Sequence, residues 1–483
     1  MLLLDPWQHA LEGAGAALCA VVAMASVSAL GLVLLDAGSV GSLWSLTMAV
    51  TAMAVGGSVT AGSDASGDTG SMGGLASLFG GEGGMGPSMS GAADVAPLGV
   101  TLVGAVVLWV VFSWRLRSEQ QRRFTAGELG VRAAGAGGTA LVALMVVAAL
   151  GKGSVTVPES AMDAMGVPEG GAADGGMGEL MGGGGGLGEL LGGGGGGMAA
   201  MSSMTFQVGV AAAGLGAVVW VAVVLGVGCL ISRRARLPLG GALDRLRTTW
   251  APILSAVVRT LIVLACVVLV PLVIVGSAVG DRAGMLAGGA LLAAPNALAV
   301  ALSLGAGSGW VFDMHPVQGD GSNPLAGLMG RMGGREGTSG LGGGRQTDRT
   351  EHLGSLSAGG WPLWVVALAV TGIILLGCAY RVSRTTDAGR MRPLHPYSGP
   401  LAHHLGMAER CALAAAVVLG GVVQLAGASG NFGISMFGSA MGGTQAELSG
   451  SVLRTVGCGL LVGGLAGFAG SALSRLPGGR GSR

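Results

Sequence analysis

The chain has 483 residues, of which 51% are apolar and only 11% charged, with a formal net charge of +1. Soluble globular proteins carry about 25% charged residues, so this composition excludes a water-covered fold; lipid removes the requirement by solvating an apolar surface. The near-neutral balance also excludes the basic face that a nucleic-acid partner needs. What remains is an all-α polytopic helix bundle in the cell membrane, with the lipid bilayer as its partner and a homo-oligomer left open.

About 20 helical residues cross the 30 Å of a bilayer core. The first stretch that qualifies is 12–35, and the N-terminus before it, MLLLDPWQHALEG, lacks the basic region of a cleaved signal peptide. Seven more follow at 95–114, 130–150, 205–231, 252–279, 361–380, 408–428 and 451–473. Two weaker stretches, 40–60 and 283–306, are rich in small and polar residues, and the second is broken by Pro295-Asn296. The sequence therefore predicts eight spanning helices plus two weak or re-entrant segments.

The connections are of two kinds. Residues 115–132, 233–247 and 381–410 carry five arginines each, and the tail from 475 carries three. The stretches 62–94, 151–203, 307–359 and 429–449 are Gly-rich, a composition that favours long disordered loops. If the weak segments turn back, the basic linkers share one side with 18 Lys and Arg against five; if both span, the count is 14 against nine. The positive-inside rule prefers the first arrangement, with basic linkers cytoplasmic and Gly-rich loops extracytoplasmic.

The weak segments also point to duplication. AVTAMAVGGSVTAGS at 49–63 and APNALAVALSLGAGS at 294–308 agree at eight of fifteen positions at an offset of 245, which sets Thr51 opposite Asn296. The next spans open with Pro97-Leu98-Gly99-Val100 and Pro362-Leu363-Trp364-Val365. The expected organisation is two tandem membrane repeats of one orientation, 1–240 and 241–483.

Interrupted segments in corresponding places of two repeats are the usual pointer to a transporter's central site. Thr51, Pro295 and Asn296 are thus candidates for a substrate path, with Arg259, a charge within the fifth span expected to face the bundle interior. Glu12 and Arg454 lie where they can snorkel to an interface. Gly459, Gly463, Gly467 and Ser471 recur every four residues and predict close helix packing. Met198, Met201 and Met204 form a weak soft-ligand pattern for Cu(I). The six cysteines lie in apolar stretches with no CxxC pair and read as small hydrophobes. HExxH, GxSxG and P-loop motifs are absent, so the chain reads as a non-enzyme that calls for no cofactor.

WSLTMAVTAMAVGGSV at 44–59, PLGVTLVGA at 97–105, LLAAPNALAVALSLGAG at 291–307 and the Gly-rich outer loops resemble the streptophobe family of actinobacterial multi-pass membrane proteins. The resemblance implies a membrane bundle along nearly the whole chain and supplies no catalytic residues. Two functions remain as expectations: a transporter- or channel-like bundle with its site between the repeats, or a non-transporting envelope scaffold or anchor. Copper handling by the Met-rich loops is a third.

Overall fold

The computed structural model describes residues 6–63, 88–118, 126–156, 203–231, 241–278, 281–318, 349–358, 360–388, 400–436 and 439–475. The first half holds α1 (Pro6–Leu34), α2 (Leu43–Met53), α3 (Leu98–Ser118), α4 (Ala126–Leu150) and α5 (Val210–Ile231). The second holds α6 (Gly241–Ala278), α7 (Asp281–Gly305), α8 (Leu363–Ala388), α9 (Pro400–Ala426) and α10 (Val452–Arg475). Pro6 and Pro400 open their helices, where the missing N–H has no partner to lose.

The helix ends carry strands that the sequence reading did not place. In the first half these are β1 (Val59–Gly62), β2 (Ser88–Val95), β3 (Gly153–Thr156) and β4 (Ser203–Val208). In the second they are β5 (Trp310–Gln318), β6 (Arg349–His352), β9 (Ala428–Met436) and β10 (Ser439–Gly450), with a small separate ribbon of β7 (Ser357–Ala358) and β8 (Trp361–Pro362). Eight strands make one antiparallel sheet in the order β3-β4-β1-β2-β9-β10-β5-β6. Each half contributes four strands in the same relative order, joined where β2 pairs with β9. Residues 429–449, expected as a disordered loop, are therefore mostly the β9–β10 pair. Residues 64–87, 157–202 and 319–348 of the other Gly-rich stretches lie outside the described residues.

Chain connectivity fixes which helix ends meet the sheet. α3, α5 and α10 begin within three residues of a strand's end, and α4 and α9 end within three residues of a strand's start. α1 reaches the sheet through its following loop, where Gly41 bridges Val155 and Thr156 donates its N–H to the Val40 carbonyl at 2.8 Å. The helix ends flanking the arginine-bearing linkers are the opposite ones.

Length and apolarity alone would count α7 among eight crossing helices and leave α3, apolar over Leu98–Trp114, among the shorter ones. Contacts reverse that assignment. The start of α7 meets the sheet-proximal end of α1, with Gly288 against the Gly31 carbonyl and Leu34. Its middle meets the start of α3 at Leu98, and Gly305 packs on Ala367 in the second turn of α8. All three neighbours are sheet-side ends, so α7 runs across the bundle rather than through it. α2, about 16 Å long, is too short to cross. The 21-residue α3, about 31 Å long, is long enough. Contacts thus hold α2 and α7 on the sheet side, and α3 is long enough to stand with the seven other long apolar helices as a candidate to cross.

Packing differs between the halves. In the first, α1 is central: Ala16, Ala17, Ala20 and Met24 are buried in one cluster with Leu108, Phe112, Leu144 and Trp220. Gly13 and Gly135 bring α1 and α4 into backbone contact at Arg132 and Ala10. In the second half the core is split into smaller clusters, and α6 is peripheral, with only 11% of its apolar span buried against 39% for α1.

Candidate functional site

The seam between the halves is built from two asparagines of the second half. Asn296 donates from Nδ2 to the Ala96 carbonyl at 2.7 Å and accepts at Oδ1 from the Leu98 N–H at 2.9 Å. It thereby supplies one of the partners that the first N–H groups of α3 lack within their own helix. Pro295 is buried beside it, against Gly99 of α3, and α7 remains helical through both residues. Asn431 accepts from the Ala92 N–H at 2.7 Å, on the strand leading to the same helix. The Pro295-Asn296 pair thus clamps one half to the other, with both ends of the asparagine amide occupied by backbone. Asn296→Leu would strand the Leu98 N–H and the Ala96 carbonyl, and should cost about 2–4 kcal/mol in detergent unfolding. Asn296→Asp, which keeps the acceptor alone, should fall between. An unfolding midpoint unmoved by both variants would remove the clamp.

Thr51 is fully buried in α2, donating to the Thr47 carbonyl at 2.7 Å and lying 3.2 Å from the Ser28 hydroxyl of α1. It and Asn296 are held by different helices. The 245 offset that paired them is not the one their helix ends share. Gly56 and Gly307 take the same left-handed conformation, φ 98° and 97°. Each closes a helix with the same bond pair: Gly57 N–H to Ala52 and Gly56 N–H to Met53, Ser308 N–H to Ser303 and Gly307 N–H to Leu304. On that register Thr51 stands opposite Leu302.

Arg259, expected to face the interior, is exposed on α6 and shares a stripe with Val263, Val267, Val270 and Ile274. The reason is the peripheral placement of α6, whose inward face is Ile253, Val257 and Leu261. Gly459, Gly463 and Gly467 lie on the face of α10 that meets Ala416, Ala415 and Cys411 of α9, and Ser471 bonds to His404 at 2.6 Å. Met204 sits in β4 opposite Val155, while Met198 and Met201 lie outside the described residues. No group of three His, Cys, Asp or Glu side chains is placed to hold a metal among the described residues. All six cysteines are free, and Cys19 and Cys266 are exposed rather than buried.

Sequence reasoning missed one ionic cluster. Arg132 of α4, 2% exposed, pairs with Glu12 of α1, and His9, 5% exposed, lies 3.5 Å from the same guanidinium nitrogen. Glu12 pairs across α1 and α4 while its side chain stays 24% exposed. The available signal was an i, i+3 His-Glu pair opening one span and an Arg opening another.

Two further features lie near the candidate residues. A cavity of about 80 Å³ among α6, α8 and α9 is lined by Ile253, Leu261, Ile374, Val418 and Leu419, and its Thr371 hydroxyl is already bonded to the Leu302 carbonyl at 3.1 Å. It is apolar and offers no polar path. The sheet, by contrast, has two distinct faces. Registered neighbours Thr60, Ala92, Asn431, Gln445 and His315 share one face with Asp94, Ser429, Glu447 and Asp313. The other face carries Val59, Phe206, Val208 and Leu448, which pack on the helix cores.

These features define an integral, multi-pass membrane protein whose helices carry a two-faced β-sheet at one end. No known family model, curated protein or solved structure matches the chain.

Proposed function

We propose that the protein is a non-transporting envelope scaffold that holds the sheet's polar face at the outer membrane surface, with the arginine-rich linkers in the cytoplasm. One observation carries this reading: a single sheet runs unbroken across both halves, with Thr60, Asn431, Gln445 and His315 in one transverse row on its polar face. A sheet that ties the two halves together on one side opposes the rocking by which repeat-built transporters alternate access. The hydrogen-bonded state of Thr51 and Asn296 and the apolar cavity point the same way. The positive-inside rule supplies the sidedness. The shared element order and matching helix caps support duplication of a five-helix, four-strand unit, and the streptophobe resemblance stays with the four stretches that carry it.

Reconstituted proteoliposomes test the scaffold reading. Flux of ions, sugars and amino acids should equal that of protein-free vesicles. Saturable flux lost in an Asn296→Leu, Arg259→Leu double variant would establish the transporter instead.

A further inference from the structure

We infer that the second half contains a binding site for the phosphate headgroup of an anionic membrane lipid, in a cavity beside the first turns of α8 and α10. The cavity has a volume of about 530 Å³, within the range of small-molecule sites. Its polar lining includes Arg454, His352, Ser308 and Ser355, and no carboxylate is among its lining residues. Arg454 is exposed and forms no ion pair among the described residues, and its Nη1 lies over Gly309.

Three observations favour an anion here. Arg454 is the third residue of α10, where the helix dipole already places partial positive charge. A cation at that position is unfavourable alone and becomes favourable beside an anion. The open N–H groups of a first helical turn add donors for phosphate oxygens. The third observation is independent of the helix terminus: Ser308, one of the lining residues, is 3% exposed, and its Oγ is buried without a hydrogen-bond partner. A buried hydroxyl left unbonded is destabilising, and a phosphate oxygen would satisfy it.

The apolar part of the lining selects a lipid over free phosphate. Leu461 and Val462 follow Arg454 on the same side of α10, about 10 Å further into the membrane. Leu461 is 68% exposed, and Leu368 and Trp364 of α8 continue the apolar wall. A charged head at Arg454 with a chain running down past Leu461 matches the orientation of an outer-leaflet lipid.

The first half shows how the space arose. Its seventh α5 residue, Gly216, lets that helix touch the Val55 carbonyl at the end of α2. The seventh α10 residue is Cys458, whose Sγ is held 2.9 Å from where a Gly307 side chain would start. Where the second half has Ser308 and Arg454, the first has Gly57 and Ala212, which offer no anion partner. The site belongs to one half alone.

Binding of phosphatidic acid and phosphatidylcholine to the full chain, by native mass spectrometry from detergent with inorganic phosphate as competitor, tests the assignment. Phosphatidic acid should bind at least about tenfold tighter than phosphatidylcholine, and Arg454→Gln should erase that difference while Arg454→Lys keeps most of it. Ser308→Ala should weaken phosphatidic acid several-fold without lowering the unfolding temperature of the lipid-free protein, which a structural hydroxyl would do. Equal binding by Arg454→Gln and the parent overturns the site. Displacement by millimolar inorganic phosphate overturns the choice of a lipid.

Discussion

Replacing Glu12 with leucine is expected to lower the stability of the bundle by about 3–5 kcal/mol, because it takes the Glu12 carboxylate away from the buried Arg132 guanidinium. Arg132 is 2% exposed, in the second turn of α4, where α1 and α4 approach to backbone contact at Gly13. Thermal unfolding in detergent reads the effect. The double variant Glu12→Leu, Arg132→Leu should regain most of the loss, since a pair of apolar side chains removes both desolvation costs at once. Additive losses would mean that the two groups do not act as a pair. His9 packs against the same guanidinium, and His9→Leu should have a smaller effect, because the Glu12 carboxylate stays in place beside Arg132.

The second large effect is expected at Gly463. A side chain there would begin 2.5 Å from the Ala415 methyl and 2.8 Å from the Cys411 carbonyl, so Gly463→Leu must push α10 away from α9. Overpacking of this kind costs roughly 1–3 kcal/mol, and the upper end applies because backbone rather than a flexible side chain is in the way. Gly457 of the same helix has open space around it, and Gly457→Leu should leave the unfolding midpoint within a degree or two of the parent. Equal effects at both positions would show that the α9–α10 contact is not what sets stability.

The membrane helices were legible because lipid writes a simple rule: about 20 apolar residues in a row. Seven of the eight helices long and apolar enough to cross fall on the predicted stretches. The eighth is α7, read as a weak segment, which contacts hold on the sheet side with α2, while the predicted span α3 is apolar over a shorter stretch. The sheet was not legible. Its strands are built from residues such as Gly91, Ala92, Ala93, Gly430, Gly433 and Gly443, which lack the β-branched and aromatic character that marks a strand locally. Pairing across the two halves, as between Ala92 and Asn431, supplies what propensity does not, and no local window contains it. Asn296 was singled out for a sound reason, since a polar residue after a proline in an apolar stretch needs partners. Those partners, Ala96 and Leu98, lie some 200 residues earlier in the chain, so the sequence could mark the residue and not its role. Arg259 failed because a helix's inward face depends on its neighbours. The hydroxyl of Ser308 could not be noticed at all, for its distinction is a missing hydrogen bond.

Sidedness ties the bundle, the sheet and the linkers together, and it can be read by labelling single cysteines in intact cells with a membrane-impermeant maleimide. In a background with the six native cysteines replaced, Thr60→Cys and Ser429→Cys on the polar face of the sheet should react from outside. Arg122→Cys, Arg236→Cys, Arg392→Cys and Arg480→Cys, one in each basic stretch, should react only after the cells are opened. Labelling of any of those four in intact cells, or of neither sheet position, would contradict eight crossings with a sheet outside and arginines within.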